Sequence, residues 1–344
     1  MVGWWGVGGR TLVACSGGCD SSALVIALAS VTGEIVVAHI VHDLRPRAEA
    51  LADKHAAAEL AEAFGLPFVS AEVAVRSPPG GNTEARARAA RYRALATLAR
   101  EQGCGFIATA HHADDQLETL LMALMRGAGP RGLSGVARSR RLGPPSGRPV
   151  RVIRPMLGTS DARSRPLTRA DAERLCRAAG WSWQEDRTNA DTVLLRNALR
   201  AEVLPVLRRL RPRSAEHAAA AAMIQHDLAR LLDAAARDRA ISLDARGGSP
   251  EAWPRSELRR LSPTLLARVL RARILNPISL SPARGSDGGS GEDRPGADRL
   301  GRRTLGPLIR AIHDRVTHPR TFTFPASSLT IRVTANQVRF DKAC

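Results

Sequence analysis

The chain has little lysine, few aromatic side chains and no closely paired cysteines. Of its 344 residues, 51 are Lys or Arg, yet lysine stands only at Lys54 and Lys342, outside any glycine-rich loop. No Gly-Lys pair occurs, which excludes a Walker A phosphate loop. Cys15, Cys19, Cys104, Cys176 and Cys344 form no C-x-x-C pair, so neither a zinc ribbon nor an iron–sulfur site is indicated. Scattered thiols in odd number fit a reducing cytoplasm. No uncharged apolar run approaches the ~20 residues that span a bilayer. The first residues include Trp4 and Trp5 but no basic leader with an apolar core, so no signal peptide is expected. These absences point to a soluble cytoplasmic protein without a membrane partner.

Positive charge is abundant. The basic residues face 33 acidic ones, a formal net charge of +18, and almost all are arginine. GC-rich coding is the bland source of such a bias. A surplus this large still favours a polyanionic partner, and guanidinium groups both bridge phosphate oxygens and stack on bases. With 44% hydrophobic content, the chain fills the cores of two or three domains.

Between about residues 10 and 110, short β-like runs alternate with helical ones. Leu12–Cys15, Ile35–Val41, Pro67–Val75 and Gly105–Ala110 read as strands, with helices at 22–31, 47–64 and 84–102. This alternation predicts an α/β fold, a parallel sheet with helices on both faces. Ligands of such sheets bind beyond the carboxyl ends of the strands, where Ser16, His42 and His111 fall. Residues 126–165, rich in Gly, Pro, Arg and Ser, read as exposed loops and a mobile segment. A helix is expected at 168–179, a basic helix near 192–210, an alanine-rich helix at 214–240 and another at 256–275. Disorder is expected at 279–303, then a helix at 304–316 and a closing β-hairpin over 321–340.

The most informative segment is Ser16-Gly17-Gly18-Cys19-Asp20-Ser21, between an apolar strand and an apolar helix. Two glycines let successive N–H groups point into one concavity. The helix N-terminus and the hydroxyls of Ser16, Ser21 and Ser22 add donors, which suits phosphate. Asp20 would repel phosphate unless a cation such as Mg²⁺ bridged them. As a plain strand-to-helix turn, the same residues would only cap the helix.

His111-His112-Ala113-Asp114-Asp115-Gln116-Leu117-Glu118-Thr119 follows another apolar strand. Asp115 and Glu118 share a helix face, as do Asp114 and Glu118. Helix capping accounts for one carboxylate, not for three with two histidines at the ligand edge. Such a group allows a metal site and serves equally to hold an ammonium ion or Mg²⁺-pyrophosphate. Arg126-Gly127-Ala128-Gly129-Pro130-Arg131-Gly132-Leu133-Ser134-Gly135 offers arginines and bare backbone to a phosphate chain. Arg154-Pro155-Met156-Leu157, Glu185-Asp186-Arg187-Thr188-Asn189 and Arg196-Asn197-Ala198-Leu199-Arg200 follow. A solvated basic face is the ordinary reading of that last run, and an RNA-docking ridge the functional one.

Together the blocks SGGxDS, HHxDDQxET, RGxGxRGLxG, RPxL, EDxTN and RNxxRxxxxP resemble the tRNA(Ile)-lysidine synthases, of the ATP pyrophosphatase (PP-loop) superfamily, over roughly residues 10–210. Glu84 to Tyr92 matches their EAxARxxRY segment. Asp43 stands where the family carries glycine, and Val41 where it carries a polar residue, so no adenine contacts are assigned there.

The resemblance implies an adenine nucleotide alpha hydrolase-like catalytic domain over 1–213. A smaller, mostly helical, tRNA-contacting region with a short β element would follow over 214–344. It implies ATP-dependent ligation of free L-lysine to carbon-2 of the wobble cytidine of tRNA(Ile) with a CAU anticodon. Ser16, Gly17, Gly18, Cys19, Asp20 and Ser21 would hold ATP, with Asp20 acting through Mg²⁺. Asp115 and Glu118 would bind the lysine ammonium, and one of them or a nearby histidine would take its proton. Arg88 or Arg91 would neutralise the α-phosphate, and Arg126, Arg131, Arg196 and Arg200 would contact tRNA. A homodimer is an open expectation. The rival readings are a thiolating tRNA-modification enzyme, disfavoured by the lack of paired cysteines, and an RNA-binding homologue that has lost turnover.

Overall fold

The computed structural model describes residues 9–43, 46–75, 83–142, 149–158, 164–184, 195–247, 251–275, 302–315, 318–324 and 329–342. Two compact units divide the chain at Met1–His226 and Asp227–Cys344.

In the first unit the order is β1 (Thr11–Ala14), α1 (Cys19–Ala29), β2 (Ile35–His42), α2 (Arg47–Ala63), β3 (Phe68–Val73), α3 (Thr83–Glu101), β4 (Phe106–Ala108) and α4 (Ala113–Met125). β5 (Ser139–Leu142), β6 (Val150–Ile153), α5 (Arg169–Ala178), α6 (Leu195–Ala198) and α7 (Leu204–Leu210) follow. The sheet order is β3-β2-β1-β4-β6-β5. All neighbours are parallel except β5, antiparallel on β6 at the edge. β2 is apolar and buried almost end to end, as a strand covered on both faces requires. Along β1 the side chains alternate: Val13 joins Leu24, Leu60 and Cys176 on one face, and Leu12 joins Tyr92, Leu95 and Ile107 on the other.

Strand order reverses beside β1, so the loops leaving β1 and β4 lie side by side. That is the topological switch point where open α/β sheets bind ligands.

One expectation is corrected here. The segment 126–165, read as loops, carries β5 and β6. Val150, Val152 and Ile153 are buried while Arg151 is exposed, and pairing with β4 stabilises a strand that Gly, Pro and Arg in its flanks disguise.

α8 (Ser214–Gly247) is a single long helix. Within the first unit, Ala215, Ala218, Ala219 and Ala222 at the start of this helix pack with Leu117, Leu120 and Leu204. The second unit adds β7 (Ala252–Pro254), α9 (Arg255–Arg259), α10 (Pro263–Leu275), α11 (Arg302–His313), β8 (Arg320–Phe324), β9 (Leu329–Val333) and β10 (Gln337–Lys342). Its core gathers Leu243, Trp253, Leu266, Leu270, Leu308, Ile331 and Val338. The helix expected at 256–275 is broken before Pro263, which lacks the N–H to continue a helix. The expected closing hairpin is an antiparallel sheet of order β7-β10-β9-β8. Residues 276–301, most of the expected disordered insert, lie outside the described residues.

Candidate functional site

The loop after β1 is shaped by Gly17, whose φ is +83°. A Cβ there would also stand 3.0 Å from the backbone oxygen of Asp53, so conformation and space both demand glycine. Gly18 caps α1 in extended conformation. The Ser21 hydroxyl donates to the Gly18 carbonyl at 2.9 Å and accepts from the Ser16 amide at 3.0 Å. Ser21 therefore braces the loop, while Ser16 stays exposed at its crest. His39 of β2 contacts the Cys15 carbonyl through Nδ1 at 2.8 Å and ties the loop to the sheet.

At the start of α4 the structure buries three carboxylates: Asp114, Asp115 and Glu118 are 3, 8 and 2% exposed. Buried charge must be paired, and here it is. Arg196 Nε donates to Glu118 Oε2 at 2.6 Å and its Nη2 to Asp115 Oδ1 at 3.0 Å. Arg200 donates to Glu118 Oε1 at 2.5 Å and reaches Asp115 Oδ1 at 3.4 Å. Arg208 and the Arg169 amide each donate to Asp114 at 2.8 Å. Asp115 Oδ2 also accepts from the His112 amide at 3.0 Å, closing the first turn.

Arg196 and Arg200, read in the sequence as RNA-facing, thus turn their guanidinium groups onto the paired carboxylates. A π-helical turn at Leu199–Val203 carries Arg200. Pro205, just beyond, supplies no N–H to the preceding turn, which widens it.

Beneath the loop, His112 Nε2 stands 3.4 Å from Asp20 Oδ2 and 3.7 Å from Asp115 Oδ2. Burial pushes its pKa down, but Asp20, Asp115 and Asp114 outweigh this and raise it to about 9. Arg169 Nη1 lies 2.7 Å from the same Asp20 oxygen. Burial pulls the Asp20 pKa up, and His112 and Arg169 bring it below the usual value. The other oxygen, Oδ1, is buried without a hydrogen-bond partner.

A cleft of about 410 Å³ opens over these groups, lined by Ser16, Asp20, Ser21, His42, Arg88, Arg91, Tyr92, His111, Asp115, Arg196 and Arg200 among others. His111 is driven well below its ordinary pKa by burial first, then by Arg154, Arg88, Arg196 and Arg91. The cleft thus unites the loop, Arg88 and Asp115, while Glu118 lies behind it, in contact with the lining residues Arg196 and Arg200. Arg126 is exposed and Arg131 half-buried, and neither lines the cleft. Residues 185–194, with the EDxTN block, lie outside the described residues. Asp43 accepts from the Val75 amide at 2.7 Å and fastens the end of β2 to that of β3.

Sequence reasoning missed Arg169. Its signal was its place, one residue after the Thr168 N-cap, where a cation opposes the helix dipole and calls for another reason to be there.

A family model described as a PP-loop domain matches residues 7–207. A tRNA(Ile)-lysidine synthase from Methylobacterium nodulans is 39% identical over 283 residues, 76% of this chain and 78% of the relative. The chain belongs to the tRNA(Ile)-lysidine synthase family. The family's synthase from Burkholderia mallei is 40% identical over 245 residues, covering 68% of this chain and 47% of that protein. One from Geobacter sulfurreducens is 37% identical over 252 residues, with 70% and 50% covered. The chain spans about half the length of these last two relatives. Among solved structures, the U34-tRNA thiolase NcsA from Methanococcus maripaludis, with its [4Fe-4S] cluster, covers 62% of this chain and 70% of its own at 15% identity and TM-score 0.48. Among the described residues no helix is long and apolar enough to cross a membrane.

Proposed function

We propose that this protein ligates free L-lysine to carbon-2 of the wobble cytidine of tRNA(Ile) bearing a CAU anticodon, consuming ATP and releasing AMP and pyrophosphate. The carbon-2 oxygen attacks the α-phosphorus of ATP, and the bond to pyrophosphate breaks. The ε-amine of lysine then attacks carbon-2, and AMP leaves with the oxygen. The observation that carries the reading is the buried Asp115–Glu118 pair, whose Asp115 lines one cleft with Ser16, Asp20 and Ser21 of a phosphate-shaped loop.

The amides at the α1 N-terminus and the exposed Ser16 hydroxyl meet the charge that gathers on the departing pyrophosphate. Arg88 faces the α-phosphate from α3. The buried, unpartnered Asp20 Oδ1 fits Mg²⁺, which takes one or two protein carboxylates and completes its shell with phosphate oxygens. When bound, that ion neutralises phosphate charge. Lysine's ammonium enters the carboxylate pair in place of guanidinium groups that already satisfy it there. The target base must be unstacked into the cleft, which costs least in a single-stranded loop. Arg126 and Arg131, away from the cleft, would contact the RNA backbone. Work on free lysine and tRNA places the protein in the cytoplasm.

The test is incorporation of labelled lysine into transcripts of the two CAU-anticodon tRNAs, with and without ATP. ATP-dependent labelling of the isoleucine tRNA alone is expected. ATP split to AMP and pyrophosphate without labelling would retain the adenylating core and discard lysine as nucleophile.

A further inference from the structure

Tyr92 is the chain's one tyrosine. It sits on α3, 5% exposed, on the wall of the cleft that holds Asp115 and His111. Its hydroxyl oxygen accepts from Arg154 Nη2 at 3.4 Å and from Arg88 Nη2 at 3.5 Å. The guanidinium carbons of Arg140, Arg88 and Arg91 stand 4.9, 5.2 and 6.0 Å from the ring centroid. Among the described residues the phenol accepts these two hydrogen bonds and donates none. An oxygen that receives two charged donors and gives its proton to nothing is biased toward its anion. Burial opposes the anion, but Arg154, Arg88 and Arg91 outweigh burial and hold the phenol below its ordinary pKa.

Lysine attacks only as the neutral amine, so a group in the cleft must take a proton. Asp115 and Glu118, which meet Arg196 and Arg200 in this structure, are assigned above to hold the ammonium. His112 faces Asp20 and Asp115, and burial first, then Arg154, Arg88, Arg196 and Arg91, holds His111 well below its ordinary pKa. Tyr92, His111 and Asp115 line the same cleft, together with the Tyr92 partner Arg88 and the Asp115 partner Arg196. We propose that Tyr92, as its phenolate, accepts the proton of lysine's ε-ammonium before the amine attacks the adenylated base. The N–H bond breaks with its electron pair left on nitrogen, and an O–H bond forms on the phenol. The carbon–nitrogen bond then forms as AMP departs; of the two protons still on that nitrogen one passes to solvent, as does the one on Tyr92, and the other stays in the product. This role rests on the lysine-ligating function proposed above.

A lone tyrosine makes the test direct. Tyrosinate ultraviolet absorbance of the ligand-free 344-residue chain titrates Tyr92 alone. Its midpoint is expected below the ordinary value of about 10, and a midpoint at or above that value overturns the proposal. In lysine incorporation, Tyr92→Phe is expected to lower kcat about 10²-fold near neutral pH. The KM values for ATP and lysine should stay within about threefold of wild type. The deficit should shrink as pH rises, and also with S-(2-aminoethyl)cysteine, whose amine is more acidic. Wild-type kcat, a deficit equal at every pH, or a loss confined to the KM for ATP would each overturn the role. Thermal unfolding of the variant separates these outcomes from misfolding. A wild-type protein that incorporates no lysine overturns the function itself, and this role with it.

Discussion

Arg196 and Glu118 are joined at 2.6 Å although 78 residues separate them in sequence, and the second Glu118 oxygen is taken by Arg200 at 2.5 Å. Both oxygens of a carboxylate that is 2% exposed thus meet cations. The site is built to hold positive charge and is filled by the protein's own.

Replacing Glu118 by Gln keeps the shape and removes the charge. A hydrogen bond to a charged group contributes about 1.5–3 kcal/mol, so the KM for lysine should rise roughly ten- to a hundredfold. The KM for ATP should change far less, since the phosphate loop is untouched. Asp115→Asn should act in the same direction. Steady-state kinetics with each substrate varied in turn checks both, and equal loss of lysine and ATP affinity would count against the assignment.

His112 makes stability depend on pH. Its folded pKa of about 9 lies above the ordinary 6.5. The stabilisation is therefore complete below about pH 6.5 and is lost as pH rises through about 9. At ~1.4 kcal/mol per unit, the swing is on the order of 3 kcal/mol. Urea unfolding on either side of that window should show it, and His112→Gln should flatten the profile.

Gly17→Ala tests the loop. The new Cβ meets the Asp53 carbonyl at 3.0 Å, a backbone atom that cannot swing aside, and φ of +83° costs an L-residue about 1–2 kcal/mol. The variant should unfold at lower temperature, and its ATP affinity should fall further than its lysine affinity. An unchanged ATP affinity would detach this loop from the nucleotide.

How much of this was legible in the sequence follows from which interactions are local. β1, β2, β4 and the loop after β1 announce themselves through apolar runs and glycine, because strand burial and tight turns are set by neighbours in the chain. The Asp115–Glu118 pair was legible from helical spacing. Its closure by Arg196 and Arg200 was not, because only the folded chain brings those arginines to buried carboxylates. The same holds for β6, which pairing with β4 makes a strand, and for the arginines that surround Tyr92 from α3, β5 and the end of β6. Asp43 read as a departure from the family, yet it serves as an acceptor for the Val75 amide.

Arg169 offers the last test. It reaches Asp20 at 2.7 Å from α5 and is braced by Glu173 at 3.3 Å. Both side chains of the Arg169–Asp20 pair are partly exposed, so its worth is reduced by solvent. Its effect should instead show in function. Arg169 and His112 share Asp20 Oδ2 and leave Oδ1 unpartnered, the oxygen proposed above for Mg²⁺. Arg169→Met should raise the KM for ATP about tenfold and shift the Mg²⁺ dependence upward, with the KM for lysine unchanged. Asp20→Asn should lose more, and the double variant should be no worse than Asp20→Asn alone, because Arg169 acts through Asp20. Losses that simply add would show that the two residues serve ATP independently.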